Sequence, residues 1–484
     1  MSLRTQALKG LKWSAALQWG TQAVSFVTLL VLARLLGPEA LGLMAIVGAV
    51  LALTRVFVDQ GFTSAIVQRQ TLEPPHLDTA FWTSAGLGAV ASALLWALSN
   101  PLSALYGESE LAELLQSISV IPLIASAAST QMAILRREMN FKALALRGIT
   151  AATIGAVTGV SMALLGFGIW SLVGQQVAMV AAGSVLIWLV TPWRPTFSFS
   201  VRHFKQLWSF GIHILGFDLL GNLNRRADTL LVGYFLSPTA VGYYSVGKHT
   251  TRTIQDSLTQ AVGQVALPAF SRMQGDNARL RTAFYSATRF VSLLTFPAFA
   301  FLALMSAEIV KVVLGVEWSP TSPVLAILAV GGFFGSIVWF TGTVMLAKGR
   351  SGLRLLIGLA ATIAGLLAIL ISYPHGIEAI ALSLVVRSFL FLPVRYAMTH
   401  RLIQLCVKDY FSSLRPALLA TAGLSLSVLA IDTLTEQLEP VFRLFIAIPA
   451  GIACYLTLLV VFERQVILHA RSLFATATGR STAR

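Results

Sequence analysis

Cysteine is almost missing from this chain: Cys406 and Cys454 are the two in 484 residues. They are too few for a disulfide framework, and neither stands at metal-ligand spacing from a His. Charge is also scarce. Asp, Glu, Lys and Arg make up 11% of the residues, against about 25% in an average soluble domain, which excludes an ordinary soluble protein. Acid is the scarcer sign, with 20 Asp plus Glu against 35 Lys plus Arg and a net charge of +15. The seven His are scattered, and the sequence contains no CxxC, HExxH, P-loop, GxSxG or dinucleotide fingerprint. No polar stretch longer than about 20 residues breaks the apolar ones, which leaves no room for an ATPase or glycosyltransferase head. The expectation is a protein without catalytic residues, metal or cofactor.

What the chain has instead is apolar length. Hydrophobic residues are 56% of it and mean hydropathy is +0.77. Leu, Ile, Val, Phe and Ala recur in blocks of 18 to 26 residues, each able to cross a hydrocarbon core of about 30 Å at about 1.5 Å per residue. About fourteen spans fall at 12–33, 40–62, 79–100, 113–133, 148–166, 169–191, 207–232, 239–264, 283–305, 323–346, 352–372, 377–397, 414–432 and 441–461. The first block is too long, and lacks a small-residue cleavage site, to be a secretory signal peptide, so it is expected to stay as the first helix.

The loops test that count independently, because their charge alternates. Those on one side, with both ends of the chain, hold 25 Lys and Arg, among them Lys142, Arg147, Lys348, Arg354 and Arg395. Those on the other side hold Lys311 alone, beside Glu108, Glu308, Asp432 and other acids. Lys and Arg resist translocation, so both termini are expected in the cytoplasm. Such a distribution points to the lipid bilayer as partner and not to nucleic acid, for which basic residues would pool on one face.

The sequence also repeats. Residues 35–42 (LLGPEALG) align with 235–242 (FLSPTAVG), Thr79–Trp82 with Thr282–Tyr285, and Gly168-Ile169 with Gly376-Ile377, at shifts of 200, 203 and 208. Six helices followed by six equivalents in the same orientation form a parallel repeat. The expected fold class is an all-α polytopic membrane protein, with two parallel-repeat six-helix lobes around a central cavity and two extra C-terminal helices. The divisions are an N-lobe over 1–192, a cytoplasmic linker over 193–206, a C-lobe over 207–398, helices 13 and 14 within 399–462, and a basic cytoplasmic tail over 463–484.

Nine bases remain inside spans. Arg34, Arg289 and Arg443 stand near an interface, where long side chains snorkel. Arg55, Arg225, Arg226, Lys248, Arg252 and Arg387 lie deeper, each costing about 2.5–3.5 kcal/mol at a lipid-facing helix centre. They are therefore expected to face a wet interior. Spacing agrees: Lys248, Arg252, Gln255 or Asp256, Thr259 and Gly263 recur every three or four residues, as do Asp218, Asn222 and Arg225 or Arg226. Arg55 and Asp59 are one turn apart. Against these six bases stand Asp59, Asp218, Asp228 and Asp256. A surplus of about two positive charges suits an anion such as a diphosphate, which Arg grips with paired hydrogen bonds. Candidate substrate residues are Arg225, Arg226, Lys248, Arg252, Arg387, Arg55 and Asn222; each has the alternative role of an internal salt bridge between helices. Asp59, Asp218 and Asp256 are candidates for coupling to a proton or sodium gradient. Gly155-x3-Gly159 and Gly331-x3-Gly335 read as close helix packing, and Pro122, Pro297 and Pro393 as kinks.

Several segments resemble a known family. Leu135–Ala145, containing Arg136-Arg137, Met139 and Phe141-Lys142, is similar to the "RRxMxFKxLA" segment of bacterial oligosaccharide flippases of the Wzx type. Gly166–Val173 with Gln175-Gln176 resembles their "GxGxWxLVxQQ" segment. Trp193-Arg194-Pro195, Ser209-Phe210-Gly211 and the "LSPxxVGYYS" run from Leu236 to Ser245 fit the same group. The resemblance covers roughly residues 5–400. It implies the multidrug/oligosaccharidyl-lipid/polysaccharide exporter superfamily and a multi-pass protein of the bacterial cytoplasmic (inner) membrane. The implied activity is flipping polyprenyl-diphosphate-linked oligosaccharide repeat units for exopolysaccharide, capsule or O-antigen biosynthesis, by alternating access and beside a periplasmic-side polymerase and export machinery. The alternatives are a lipid II flippase or a cation/drug antiporter of the same superfamily.

Overall fold

The computed structural model describes residues 3–59, 62–69 and 71–462; the expected basic tail, 463–484, lies outside the described residues. Nineteen α-helices run along them. In order they are α1 (Leu3–Asp59), α2 (Phe62–Gln68), α3 (Pro74–Ala97), α4 (Ser99–Tyr106), α5 (Glu110–Ile118), α6 (Val120–Ser126), α7 (Ser129–Arg137), α8 (Phe141–Leu164), α9 (Trp170–Val190) and α10 (Val201–Phe235). They continue with α11 (Pro238–Arg272), α12 (Asn277–Leu304), α13 (Ser306–Val313), α14 (Thr321–Ile337), α15 (Thr341–Ala347), α16 (Ser351–Ser372), α17 (Gly376–Ile403), α18 (Val407–Leu434) and α19 (Pro440–Phe462). Two compact units divide between Ser245 and Val246.

Ten stretches are long and apolar enough to cross a membrane. Two of them hold two traversals each: Trp19–Val56 turns at Gly37, and Ser351–Ile403 turns at Tyr373–His375. α10 and α11, 35 residues apiece, are also long enough, but the deep charges lower their apolarity. Fourteen spans result among the described residues, as the charge alternation requires. Leu189, Ile371, Leu426 and Phe445 are each at least 69% exposed. Side chains of that size left outside a packed unit suit a hydrocarbon solvent.

The first turn shows how the repeat is built. Gly37 takes φ 78° and ψ 177°, a conformation essentially restricted to glycine, and Pro38 then opens the next helix with its φ already set. In the second copy Pro238 opens α11. Inside the first unit the two turns meet: a Cβ on Gly42 would collide with the Pro238 carbonyl oxygen, and a Cβ on Gly242 with that of Pro38. The residues aligned by the shift of 200 thus pack against each other reciprocally. A further pair is visible at the end of the fourth span in each half, where Met139 (φ 55°) and Gly349 (φ 70°) make the same left-handed stop. Behind them Asn140 N–H donates to Leu135 O and Arg350 N–H to Met345 O.

The glycine pairs behave unequally. Gly155 and Gly159 lie where α8 meets α9, and a Cβ there would stand 2.7 Å from Met179 Cβ and 2.8 Å from Gln175 Cβ. Gly331 packs on Val385 in the same way, but the nearest atom to a Cβ on Gly335 is Gln255 Oε1 at 3.9 Å. Gly335 therefore borders open space, and the expectation of packing there is corrected.

Polar residues fix the segment before α10. Asp78 accepts from Thr196 N–H (2.9 Å), Thr196 Oγ1 (2.5 Å) and Ser198 Oγ (2.9 Å), which satisfies a buried carboxylate. Trp82 Nε1 donates to Thr196 O and its ring stacks on Phe197. In the second unit Arg443 pairs with Glu308 at 3.1 Å and with Asp432, joining α19 to α13 and α18. Its side chain is 16% exposed, so the snorkelling reading of Arg443 is replaced by a three-helix ion cluster.

Replacing Gly42 by Val puts three carbons against a backbone carbonyl that cannot swing aside. The variant is expected to lose about 1–3 kcal/mol of stability, read as a lowered thermal midpoint of purified protein, whereas Gly216→Val, where a Cβ meets nothing within 4 Å, should keep the wild-type midpoint.

Candidate functional site

The deep charges sit on α1, α10, α11 and α17, and their surroundings differ. Arg55, Asn222, Arg225 and Arg226 belong to the first unit; Lys248, Arg252 and Arg387 belong to the second. In the first unit the C-terminal part of α1 packs along α10, which brings Arg55 close enough to Arg226 for their like charges to act on each other. Arg55, Arg225 and Arg226 are all exposed, and Asn222 is half-buried. Two cations from separate helices held this close favour an anion between or beside them. Asn222 Nδ2 donates to the Asp218 carbonyl at 2.9 Å, one turn back along its own helix. Asp59 ends α1, and its side chain lies outside the described residues.

Asp228, counted among the membrane acids, has a structural role. It is buried, its Oδ2 accepts from the Tyr244 hydroxyl at 2.8 Å, and its Oδ1 accepts from Thr229 N–H at 2.8 Å. In the second unit Arg252 Nε stands 3.6 Å from Asp256 Oδ2, a pair within α11 whose side chains are 47% and 26% exposed. Asp256 thus offsets part of the Arg252 charge, and Lys248 is half-buried one turn earlier. Arg387 is set apart from these: its Nη1 donates to Ala361 O at 3.2 Å, and its guanidinium lies across Gly365 in the seam between α16 and α17.

Broken helices are the part of the site region that the sequence revealed only at Pro122, since Pro297 and Pro393 lie inside the unbroken α12 and α17. The fourth span of the first unit is divided into α5, α6 and α7, and its counterpart in the second into α14 and α15. Breaking a helix in a membrane frees carbonyls that need donors. At the break between α6 and α7, Trp188 Nε1 donates to Ala127 O at 2.9 Å and Ser184 Oγ to Ile124 O at 3.1 Å. At the break after α14, the buried Tyr410 hydroxyl donates to Ile337 O at 2.6 Å, while Phe340 is fully buried against Phe270. Next to that second break lies a cavity of about 600 Å3, and Arg354 and Arg395 line it. The charge count had assigned both arginines to a loop. No spacing signal marked them, because each stands near a span end within a few residues of other loop bases, Lys348 and Arg350 in one case and Arg401 in the other.

The family segments prove to be fold-bearing. Arg137 Nη1 donates to Ile66 O at 2.8 Å, and Asn140 Oδ1 caps α8 by accepting from Ala143 N–H at 3.2 Å. Lys142 sits 5.7 Å from the centre of the Trp13 ring, and Gly166 (φ 84°) and Gly168 (φ 55°) form the turn into α9.

An all-helical membrane protein, duplicated and carrying arginines on the exposed faces of its charged spans, has the construction of a polytopic transporter. The chain belongs to the family described as polysaccharide biosynthesis protein, whose model matches residues 31–323. It is similar to the teichuronic acid biosynthesis protein TuaB of Bacillus subtilis (strain 168), at 26% identity over 95% of this chain and 96% of that protein. It is also similar to the succinoglycan biosynthesis transport protein ExoT of Rhizobium meliloti (strain 1021), at 28% identity over 66% of this chain and 64% of that one. A third relative is the lipopolysaccharide biosynthesis protein WzxC of Escherichia coli (strain K12), at 25% identity over 72% of each. Among solved structures, the lipid II flippase MurJ in an inward closed conformation superposes with TM-score 0.77 at 14% identity, covering 94% of this chain and 99% of MurJ. An inward-facing multidrug resistance MATE family transporter of the MOP superfamily gives 0.65 at 16% identity, covering 79% and 95%. The fold is the one these transporters share.

Removing the donor at either break should leave a buried carbonyl without a partner. Trp188→Phe and Tyr410→Phe are each expected to cost about 1–3 kcal/mol, measurable as a lower thermal midpoint, while Tyr234→Phe, at an exposed ring on α10 away from both breaks, is expected to keep the wild-type midpoint.

Proposed function

We propose that this protein is a flippase that moves polyprenyl-diphosphate-linked oligosaccharide repeat units across the cytoplasmic membrane for exopolysaccharide, capsule or O-antigen biosynthesis. The observation that carries the reading is the family match, joined to a set of exposed arginines on membrane-spanning helices. Relatives named for teichuronic acid, succinoglycan and lipopolysaccharide biosynthesis support the polymer class. The protein is a transporter and performs no covalent chemistry on its cargo.

In this reading Arg55, Arg225, Arg226, Lys248, Arg252 and Arg387, with Asn222, receive the diphosphate and the first sugars, while the polyprenyl tail stays in lipid. Clustered cations such as Arg55 and Arg226 lower the cost of desolvating a diphosphate, because the anion leaves water for guanidinium donors that match its oxygens. Two lobes then alternate access, and Asp59, Asp218 or Asp256 couples the cycle to a proton or sodium gradient. The six-helix lobes 1–192 and 207–398 are the moving parts, with 193–206 between them. Both termini lie in the cytoplasm, and the delivered unit passes to a periplasmic-side polymerase and export machinery.

Two experiments test this. In a strain that depends on the protein for polymer export, the Arg225→Ala, Arg226→Ala, Arg252→Ala triple variant is expected to reduce export at least tenfold at wild-type protein level. Normal export by that variant sinks the assignment of these arginines. For the topology, single cysteines introduced at Arg350 and Glu317 into a chain lacking Cys406 and Cys454 are labelled with a membrane-impermeant thiol reagent in intact spheroplasts. Labelling at 317 and protection at 350 are expected, and the reverse pattern would invert the orientation.

A further inference from the structure

The cavity beside the second helix break lies wholly within one unit and has an unusual chemistry. It is bounded by α11, the α14–α15 junction, α16 and α17, and its volume of about 600 Å3 falls within the roughly 300–1,000 Å3 of small-molecule sites. Glycines keep it open. Gly263, Gly335, Gly342 and Gly358 all line it, and a Cβ on Gly358 would meet nothing within 4 Å.

Its charged lining is wholly cationic, beside the neutral Gln260, Trp339, Thr341 and Thr343. Arg354 comes from the first turn of α16 and Arg395 from α17; Gln260 comes from α11 and Trp339 from the break itself. Among the described residues no hydrogen bond or ion pair is made by the side chain of Arg354, Arg395, Gln260 or Trp339. The Arg354 chain lies along Gly342, with Nε 3.4 Å from where a Cβ would stand, so the missing side chain makes room for it. Among the described residues no carboxylate lines the cavity. Arg395 also feels the like charge of Arg387, two turns away on the same helix, which adds to the positive potential. Arginine guanidinium and indole N–H can only donate. Such a lining disfavours a metal ion or an organic cation and suits a compact ligand rich in acceptor oxygens.

The geometry points to a diphosphate-binding site in this cavity, with Arg354 and Arg395 as its two gripping cations, Gln260 and Trp339 as neutral donors, and the broken helix as the device that keeps the space open. Two planar guanidinium groups from neighbouring helices line one cavity without a carboxylate among the described residues, and each can hold a phosphoryl group through paired hydrogen bonds. The diphosphate can come from a lipid headgroup or from a free diphosphate in solution. Taking it from the headgroup of a polyprenyl diphosphate makes this a reception point for the cargo and rests on the flippase reading; the anion chemistry of the cavity does not.

Calorimetric titration of the purified full-length protein with inorganic diphosphate tests the site. Saturable binding is expected, weakened at least tenfold in Arg354→Gln/Arg395→Gln and partly restored in Arg354→Lys/Arg395→Lys. Gly358→Phe fills the cavity from a position that has room for a side chain, and is expected to weaken binding to the same degree with both arginines in place. Absence of saturable binding in the wild type, or affinities of both the double Gln and the Gly358→Phe variants within twofold of it, would overturn the proposal. A short-chain polyprenyl diphosphate that competes with inorganic diphosphate supports the site and identifies the headgroup as its source. Failure to compete, with inorganic diphosphate still bound, supports the site and assigns it to a soluble anion. Because export is not the readout, this result stands or falls separately from the triple-variant test of the flippase reading.

Discussion

The cost of a cation away from water governs this protein. A guanidinium facing lipid at mid-helix costs about 2.5–3.5 kcal/mol by insertion scales, and this chain carries arginines deep in several spans while having only 20 acids in all to offset them. Four of those acids serve structural pairs or clusters: Asp78 holds Thr196 and Ser198, Asp228 holds Tyr244, and Glu308 and Asp432 hold Arg443. Asp256 sits against Arg252. The remaining arginine charge is tolerated only on surfaces that water or an anionic ligand can reach. That one constraint ties the helix count, the long charged spans α10 and α11 and the open cavity of the second unit into a single design.

The duplicated architecture makes those surfaces. Glycine at Gly42 and Gly242 lets equivalent turns of the two copies touch backbone to backbone. Each copy also breaks its fourth span, and each break is made tolerable by an aromatic donor from a distant helix, Trp188 in one and Tyr410 in the other. Tyr410 lies on α18, outside the repeat, which gives the extra C-terminal helices a physical role: one of them satisfies the backbone that borders the arginine-lined cavity. The first unit puts its cations on exposed helix faces, and the second adds a cavity lined by two arginines.

Much of this was legible from residues alone. Fourteen spans followed from apolar length, and the turns at Gly37-Pro38 and Ser237-Pro238 followed from a shifted alignment. Gly155 and Gly159 were rightly placed at a helix contact. The break between α5 and α6 falls one turn before Pro122, which was read as a kink, but the break after α14 was not legible, because Val338, Trp339 and Phe340 are as apolar as their neighbours and the donor that permits it is 73 residues away. Arg354 and Arg395 were hidden by the rule that exposed the topology: near a span end, a basic residue that anchors a loop and one that turns into a cavity look the same. Arg443 shows the opposite error, since a position suited to snorkelling is filled by a buried ion cluster whose partners lie on two other helices.

The central claim is that arginine-bearing membrane helices carry a diphosphate-linked glycan from one leaflet to the other. The most direct measurement is transfer in vesicles reconstituted with the purified chain, following how fast a polyprenyl-diphosphate oligosaccharide becomes accessible to a membrane-impermeant glycan-modifying reagent. Transfer well above that in protein-free vesicles, slower for the matching monophosphate and unaffected by lipophilic cations, is the predicted result. Transfer no faster than in empty vesicles, together with saturable uptake of a lipophilic cation, would contradict the account and mark the protein as a cation exporter on the same fold.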